Sequence, residues 1–449
     1  MGRIEPDALP DELASWPTYA PSAHVLGQVE LALGSRHGPA PEVTVDVPIA
    51  VGGAAAETGH LVLTDAEGTP LADVTVEAVL AGDMGASVRI SGRVRALRPF
   101  RSGPFHALRR RPAEVRQELA GSTAIAVVLD RPLTADDERS LAAAATASDA
   151  RLLVLPCVAD AGPAGIPPEV LVRAVQASLS RLETPAGPVL LVPLPLVRGN
   201  DTPPEAIEFV RATGATLADP ELMPDAAGGA RIAAALDAEP GVLEDFVEAD
   251  VAAILRSWRP RRPKRGLTVF FTGLSGSGKS TLARGVADAM LERGRSVTVI
   301  DGDIARRLLS SGLGFSAHDR DLNVRRIGWV ASEVTRHGGV AVCAPIAPFA
   351  TTRADVRRMV ERNGGFVLVH VSTPLAVCEE RDHKGLYAKA RAGQIAEFTG
   401  VSSPYEMPED ADVRIDTSTL PVDDAVAAVV AHLEREGWLR PQETTQPAR

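Results

Sequence analysis

The stretch Gly273-Leu-Ser-Gly-Ser-Gly-Lys279-Ser280 constrains this chain more than any other. It fits G-x-x-x-x-G-K-[ST]. Leu267-Thr-Val-Phe-Phe271 before it reads as a buried strand, and Ser280–Arg293 after it as a helix. Glycines let backbone N–H groups converge on phosphate oxygens with no Cβ in the way, and the helix start adds the positive end of its dipole. Lys279 would reach the β- and γ-phosphates, and the Ser280 hydroxyl would ligate Mg²⁺. The expected cradle is Gly273, Ser275, Gly276, Ser277, Gly278, Lys279, Ser280 and Thr281. A chance Gly/Ser loop could match the string alone, but the required strand and helix flank it in the required order.

The alternation continues beyond the cradle. Ser296-Val-Thr-Val-Ile300, Val340–Cys343, Phe366–Val371 and the short Val413–Ile415 read as strands. Asp319–His337, Pro374–Asp382 and Val422–Glu436 read as helices. This is the pattern of a parallel α/β sheet with flanking helices, here of the P-loop type. Roughly 180 residues can bury a core of their own. Residues 258–266 are basic and proline-bearing, and read as a linker. From about 20 to 110, short alternating stretches such as Glu42–Val47, His60–Leu63 and Val88–Val94 predict a mostly β module. From about 120, Ala124–Leu129, Arg151–Leu155 and Val189–Val192 read as buried strands among Ala-rich helices, a second α/β layer.

Composition excludes several classes. The formal net charge of -11 argues against a surface that coats a nucleic-acid backbone. No apolar run approaches the ~18 residues that span a bilayer. The start, Met1-Gly-Arg-Ile-Glu-Pro, lacks a basic then apolar signal pattern. Cys157, Cys343 and Cys378 are too dispersed for a disulfide framework or a zinc cluster. A cytoplasmic setting is expected. Lysine is scarce, only Lys264, Lys279, Lys384 and Lys389, so arginine does most of the surface work. A retained lysine can mark a place that needs a compact ammonium.

The phosphoryl acceptor is signalled by Asp301-Gly302-Asp303 at the end of the second strand. Strand ends line the ligand crevice of a parallel sheet. Two carboxylates there can orient a hydroxyl nucleophile, and one can assist Mg²⁺ through water; a plain helix-capping turn would use the same residues. Arg306, Arg307, Arg320, Arg325 and Arg326 follow, and such a basic run beside a phosphate site points to an anionic acceptor. Solvated helix charge explains some of them, Arg307 included.

From about 266 to 438 the chain resembles the adenylyl-sulfate kinase family. The resemblance rests on Gly273–Thr281, Asp301-Gly-Asp303, Leu313-Gly-Phe-Ser316 with Asp319-Arg320 and Asn323, and Pro348-Phe349 with Arg353. It continues in Val371–Leu375, Cys378–Asp382, Lys384–Arg391, Phe398-Thr-Gly400 and Pro404-Tyr-Glu406. It implies transfer of the ATP γ-phosphate to the 3′-hydroxyl of adenylyl sulfate, with ATP as co-substrate and Mg²⁺ as cofactor. It assigns Asp303, with Asp301 nearby, to the attacking hydroxyl, and Arg306, Arg320 and Asn323 to the phosphosulfate. Phe315 and Phe398 would sandwich the acceptor adenine, core packing being the alternative for both. Residues 381 to 399 resemble a mobile lid that brings Lys384 over the ligands and excludes water. Ala347 stands where many members carry a phosphorylatable Ser, which leaves direct transfer as the expected route. His383 replaces a common Pro.

Residues from about 20 to 257 resemble a shortened, diverged ATP sulfurylase. The resemblance rests on Leu61–Leu71, Pro112–Arg116, Leu152–Val172, Pro193–Pro195 and Pro204–Ala206, with Ala230–Ile232 and Ile254–Arg256 closing it. It implies a β-rich, PUA-like module over 1–115 and a degenerate α/β nucleotidyltransferase-like module over 116–257, ahead of a kinase domain over 267–440. The family's histidine-bearing nucleotide motif is missing: Val127–Thr134 stands in its place, and no His occurs between His106 and His318. This half is therefore expected to lack sulfurylase activity and to serve assembly, regulation or scaffolding. A homo-oligomer is expected, with a separate ATP sulfurylase as a possible partner and no nucleic acid or membrane. The alternatives are a bifunctional enzyme and a non-catalytic nucleotide sensor.

Overall fold

The computed structural model describes residues 11–35, 40–82, 86–100, 105–162, 165–199, 201–239, 241–382 and 384–441. His383, the opening residues Met1–Pro6 and tail residues 442–449 lie outside them. The chain divides into two compact units, Met1–Trp258 and Arg259–Arg449.

The first unit opens with β1 (Thr18–Tyr19), α1 (Ala23–Ser35), β2 (Glu42–Pro48), α2 (Ile49–Thr58), β3 (His60–Thr64), β4 (Pro70–Ala81) and β5 (Ser87–Ala96). These strands form one sheet in the order β1-β3-β4-β5-β2, antiparallel except for the β1–β3 pair. The expected β module thus also contains two helices. In α2 the run Ile49-Ala-Val-Gly-Gly-Ala-Ala-Ala has no amphipathic period, but a left-handed Gly59 with φ 75° closes it. Val45, Val47, Leu61, Leu63, Val74, Ile90 and Val94 bury the inner face.

Next come α3 (Pro112–Leu119), β6 (Thr123–Leu129), α4 (Ala135–Ala147), β7 (Ala150–Pro156), α5 (Pro168–Leu179), β8 (Leu190–Leu191), α6 (Pro204–Thr213), β9 (Thr216–Leu217), α7 (Ala226–Asp237) and α8 (Ala249–Trp258). The strands form a parallel sheet ordered β8-β7-β6-β9. Every residue of β7 is buried, because helices cover both faces.

At the C-terminal end of β6, Arg131 is buried and spends all its donors inside the protein. Nε donates to Asp225 O at 2.8 Å; Nη1 to Pro132 O at 2.9 Å and Asp137 Oδ2 at 2.6 Å; Nη2 to Asp137 Oδ1 at 3.2 Å and Asp225 Oδ1 at 3.3 Å. A guanidinium has five N–H bonds, so none is left over. Gly228 of α7 makes room for it, since a Cβ there would lie 2.5 Å from Arg131 Cζ. Gly228→Ala is therefore expected to destabilise this unit by about 1–3 kcal/mol in urea unfolding, despite the better helix propensity of alanine.

The second unit contains β10 (Leu267–Thr272), α9 (Lys279–Glu292), β11 (Val297–Asp301), α10 (Gly302–Leu308), α11 (Ala317–Arg336), β12 (Val340–Ala344), α12 (Ala350–Glu361), β13 (Gly365–Val371), α13 (Leu375–Arg381), α14 (Leu386–Arg391), β14 (Val413–Ile415) and α15 (Val422–Arg435). The sheet is parallel throughout, in the order β11-β12-β10-β13-β14. β10 leads outward to β11, whereas β12 leads back across β10 to β13. The strand direction of the connections therefore switches between β10 and β12, and the crevice above those two ends is where ligands bind in such sheets. The basic residues 259–266 pack on this unit. Arg262 lies 5.3 Å over the Trp438 ring and donates to Glu436 O, and Arg295 donates to Pro263 O. Arginine stems and planes cover apolar surface that a purely solvated connector would leave bare.

Candidate active site

The cradle turns from β10 into α9. Gly273 has φ 152°, and a Cβ on it would meet Val371 O at 2.5 Å, so only glycine fits. Gly278 adopts φ 97° immediately before α9. The loop is braced by residues remote in sequence. Thr373 Oγ1 and Thr417 Oγ1 donate to Ser277 O at 3.1 and 2.9 Å, and the Tyr387 hydroxyl donates to Ser275 O at 2.9 Å. Gly276 and Ser277 thus sit in a loop whose backbone is fixed before any phosphate arrives.

Lys279 is buried, 7% exposed, and its Nζ donates to Leu274 O at 2.6 Å. Burial pushes its pKa down to about 8, the charges of Asp301 and Asp303 being smaller, opposing influences. An ammonium that close to neutrality would attract a triphosphate below pH 8 and progressively less above it. The kcat/KM for the triphosphate is expected to fall about tenfold per pH unit above 8, through KM, while kcat stays flatter because bound phosphate restores the proton. A pH profile of both constants checks this.

Ser280 Oγ donates to Asp301 Oδ2 at 2.9 Å. Asp301 Oδ1 accepts the Asp303 N–H at 2.9 Å and caps α10. Burial alone would raise the Asp301 carboxyl, but the hydrogen bonds from Ser280 and from the N–H groups of Asp303 and Ile304 outweigh it and hold it below the usual range. Capping and ligand roles thus coexist in this turn. Asp303 is exposed and pairs with Lys384 of the lid segment. Thr281 lies exposed in the first turn of α9.

The basic residues separate by environment. Arg306 donates to Gly314 O at 2.8 Å and stacks over the exposed Phe315 ring, 4.4 Å from its centroid. Arg320, on α11, is 7% exposed; it donates to Thr399 Oγ1 at 2.6 Å and Ser403 Oγ at 2.7 Å, pairs with Glu397 at 3.3 Å, and lies 5.6 Å over Phe349. Its Nε and the Oδ1 of Asn323, one helical turn on, are both buried without a partner. Two unsatisfied polar atoms on one helix face are costly unless something else completes them. Phe315 and Phe398 sit in different surroundings. Phe315 is 63% exposed, whereas Phe398 is buried with Cys378 and Ala390 and meets Tyr387 edge-on at 4.9 Å. Phe398 is therefore packed in a small core with Cys378, Tyr387 and Ala390 and, unlike Phe315, offers no open face to a base.

Thr373, Tyr387 and Thr399 lie inside segments that carry the family resemblance, though their bracing roles do not show there; Ser403 and Thr417 carry no local motif, because a hydroxyl in a loop looks alike wherever it lands.

Residues 265–416 match the family model described as Adenylylsulphate kinase. An adenylyl-sulfate kinase of Synechococcus sp. (strain JA-3-3Ab) is 49% identical over 177 residues, which cover 39% of this chain and 99% of that relative. The chain belongs to the adenylyl-sulfate kinase family. Its family region also resembles the sulfate adenylyltransferase of Phaeosphaeria nodorum, 48% identical over 197 residues, 44% of this chain and 34% of that protein. The chain thus spans about a third of the length of the sulfate adenylyltransferases it matches. The adenylyl-sulfate kinase family likeness extends to the whole chain in one solved structure, titled a hexameric APS kinase from Thiobacillus denitrificans. It has a TM-score of 0.74 and 30% identity, covering 96% of this chain and 95% of that one. Among the described residues, no helix is long and apolar enough to cross a membrane.

Proposed function

We propose that the chain is an adenylyl-sulfate kinase, passing the γ-phosphoryl group of ATP to the 3′-hydroxyl of adenylyl sulfate to give ADP and 3′-phosphoadenylyl sulfate. The observation that carries this is the meeting, at one end of one sheet, of the buried Lys279 cradle with the Asp301–Asp303 turn, joined by the hydrogen bond from Ser280 Oγ to Asp301 at 2.9 Å. Arg306 lies within electrostatic reach of both Asp303 and Arg320, and the Arg320 Nε and Asn323 Oδ1 are buried without partners.

Phosphoryl transfer asks a protein for alignment and charge stabilisation more than for covalent chemistry. Lys279 neutralises the β- and γ-phosphates. Arg306 and Arg320 hold the anionic phosphosulfate, and Asn323 Oδ1 accepts a donor from the acceptor. Asp303 accepts the hydrogen bond of the 3′-hydroxyl, directs its oxygen at the γ-phosphorus and takes its proton. Phe315 presents an open face for the adenine, while Phe398, packed against Cys378, Ala390 and Tyr387, would reach the base only if residues 381–399 rearranged. Lys384 then exchanges its Asp303 pairing for ligand charge. Ser280 and Asp301 fit Mg²⁺: hard oxygen donors, few in number, with phosphates and water completing the shell. When bound, that ion offsets charge developing on the phosphate oxygens.

In this reading residues 1–115 form the PUA-like module, 116–257 a degenerate nucleotidyltransferase-like one, 258–266 a linker and 267–440 the kinase domain. The nucleotidyltransferase-like half does no adenylyl transfer. Its β6 end offers Arg131, already saturated, and Asp130, whose carboxylate pairs with Arg198 at 3.3 Å. Arg131 leaves no donor for a triphosphate and Asp130 is itself an anion, while the Arg198 Nε is buried without a partner. The half serves assembly, in keeping with the hexamer named for the similar structure, and sulfate activation falls to a separate enzyme.

Purified chain with ATP, Mg²⁺ and adenylyl sulfate should form ADP and the 3′-phosphorylated product. The same chain with ATP and sulfate should show no pyrophosphate exchange. Exchange without kinase turnover would reverse the assignment.

A further inference from the structure

The segment 345–349 connects β12 to α12 and runs beneath both ends of the proposed acceptor site. At one end, a Cβ on Gly302 would touch Ala344 O and Pro345 Cα at 3.5 Å, beside Asp303. At the other, the Phe349 ring lies under Arg320. Between them Ala347 is buried, 1% exposed, in the left-handed region with φ 47°. That conformation costs a non-glycine residue on the order of 1 kcal/mol and persists only where neighbours hold it.

The neighbours that hold it come from the end of β10, from α12 and from the segment around Tyr405. Thr272, the last residue of β10 and the one before Gly273, donates to Ile346 O at 2.7 Å, and its Oγ1 lies 3.0 Å from the Tyr405 hydroxyl. A hydroxyl has one hydrogen, so with Thr272 donating to Ile346, Tyr405 donates to Thr272. Burial pushes the Tyr405 phenol up, so it keeps that hydrogen. The Tyr405 ring also stacks on His370, centroids 5.9 Å apart. Arg353 donates through one terminal nitrogen to Ala347 O and through the other to Glu406 O, both at 2.8 Å. Glu406 closes the circuit: its N–H donates to Pro348 O at 2.9 Å and its carboxylate accepts the Ala350 N–H at 2.6 Å.

We propose that Tyr405 and Arg353 are positioning residues that fix the acceptor floor 345–349 in register with the phosphate cradle, using Thr272 as the shared anchor. Neither need touch a substrate. They set where the acceptor lies relative to a γ-phosphate whose own place is fixed by the loop that starts one residue after Thr272. This rests on the kinase reading, and misplacement of a reacting atom by an ångström is enough to cost rate.

The test uses the full chain with Tyr405→Phe, Thr272→Val and the double variant, measuring kcat, KM for each substrate and the thermal midpoint. Tyr405→Phe should raise KM for adenylyl sulfate about five- to tenfold, the equivalent of one hydrogen bond. KM for ATP should stay within about twofold, and the midpoint should barely move. The double variant should be no worse than the more affected single one, since both break one chain of bonds. Equal shifts in both KM values with a falling midpoint, additive losses, or an unchanged acceptor KM would overturn the proposal while leaving the kinase reading intact. A wild-type chain that does not turn over adenylyl sulfate would sink both.

Discussion

Lys279→Ala is expected to lower kcat/KM for ATP by on the order of 10³-fold while the protein stays folded. The size follows from where the ammonium sits. It is buried, its charge is costly enough to bring its pKa to about 8, and its hydrogen bond to Leu274 O holds it at the mouth of the cradle. A charge kept in a low-dielectric site acts on phosphate far more strongly than one in water. Removing it also relieves that desolvation cost, so urea unfolding should show unchanged or slightly higher stability. Lys279→Arg should not rescue activity, because a planar fork cannot occupy the space of a compact ammonium. Turnover within tenfold of wild type would show that the triphosphate does not lie in this loop.

Asp303→Asn should lower kcat by about 10²–10⁴-fold with little change in either KM. The amide retains size and polarity but cannot take the proton of the attacking hydroxyl. The helix cap survives, because it is the Asp303 backbone N–H, not its side chain, that binds Asp301. The partner variant Asp301→Asn separates the two roles. It weakens both the cap and the Ser280 contact, so it should raise the Mg²⁺ requirement and KM for ATP as well as lowering kcat. If Asp303→Asn raised the acceptor KM and spared kcat, Asp303 would be a binding group only.

How much of this was legible in the residues depends on how local each device is. The cradle was, because phosphate binding uses consecutive residues between a strand and a helix, and Gly273 to Thr281 occupy that place. The arginine-rich face was legible as a charge run. The sequence does not show that Arg306 stacks on Phe315 or that Arg320 is anchored on Thr399 and Ser403, since those hydroxyls lie in a loop far along the chain. α2 was hidden because an Ala- and Gly-rich run has no hydrophobic period to read. α12 was hidden because its charged sequence has no obvious apolar stripe, yet Val356 and Val360 bury one. In the first unit the absence of histidine between His106 and His318 is visible at once, but the saturation of Arg131 needs Asp225, remote in sequence, brought in by the fold.

The central claim is that a phosphoryl group crosses from the Lys279 cradle to a ribose hydroxyl held at Asp303. ATP labelled in the γ-phosphate, incubated with the chain, Mg²⁺ and adenylyl sulfate, follows that group directly. The label should appear on the sulfated nucleotide and be released by a 3′-specific phosphatase. Label recovered only as free phosphate, or no transfer at all from a folded protein, would contradict the account.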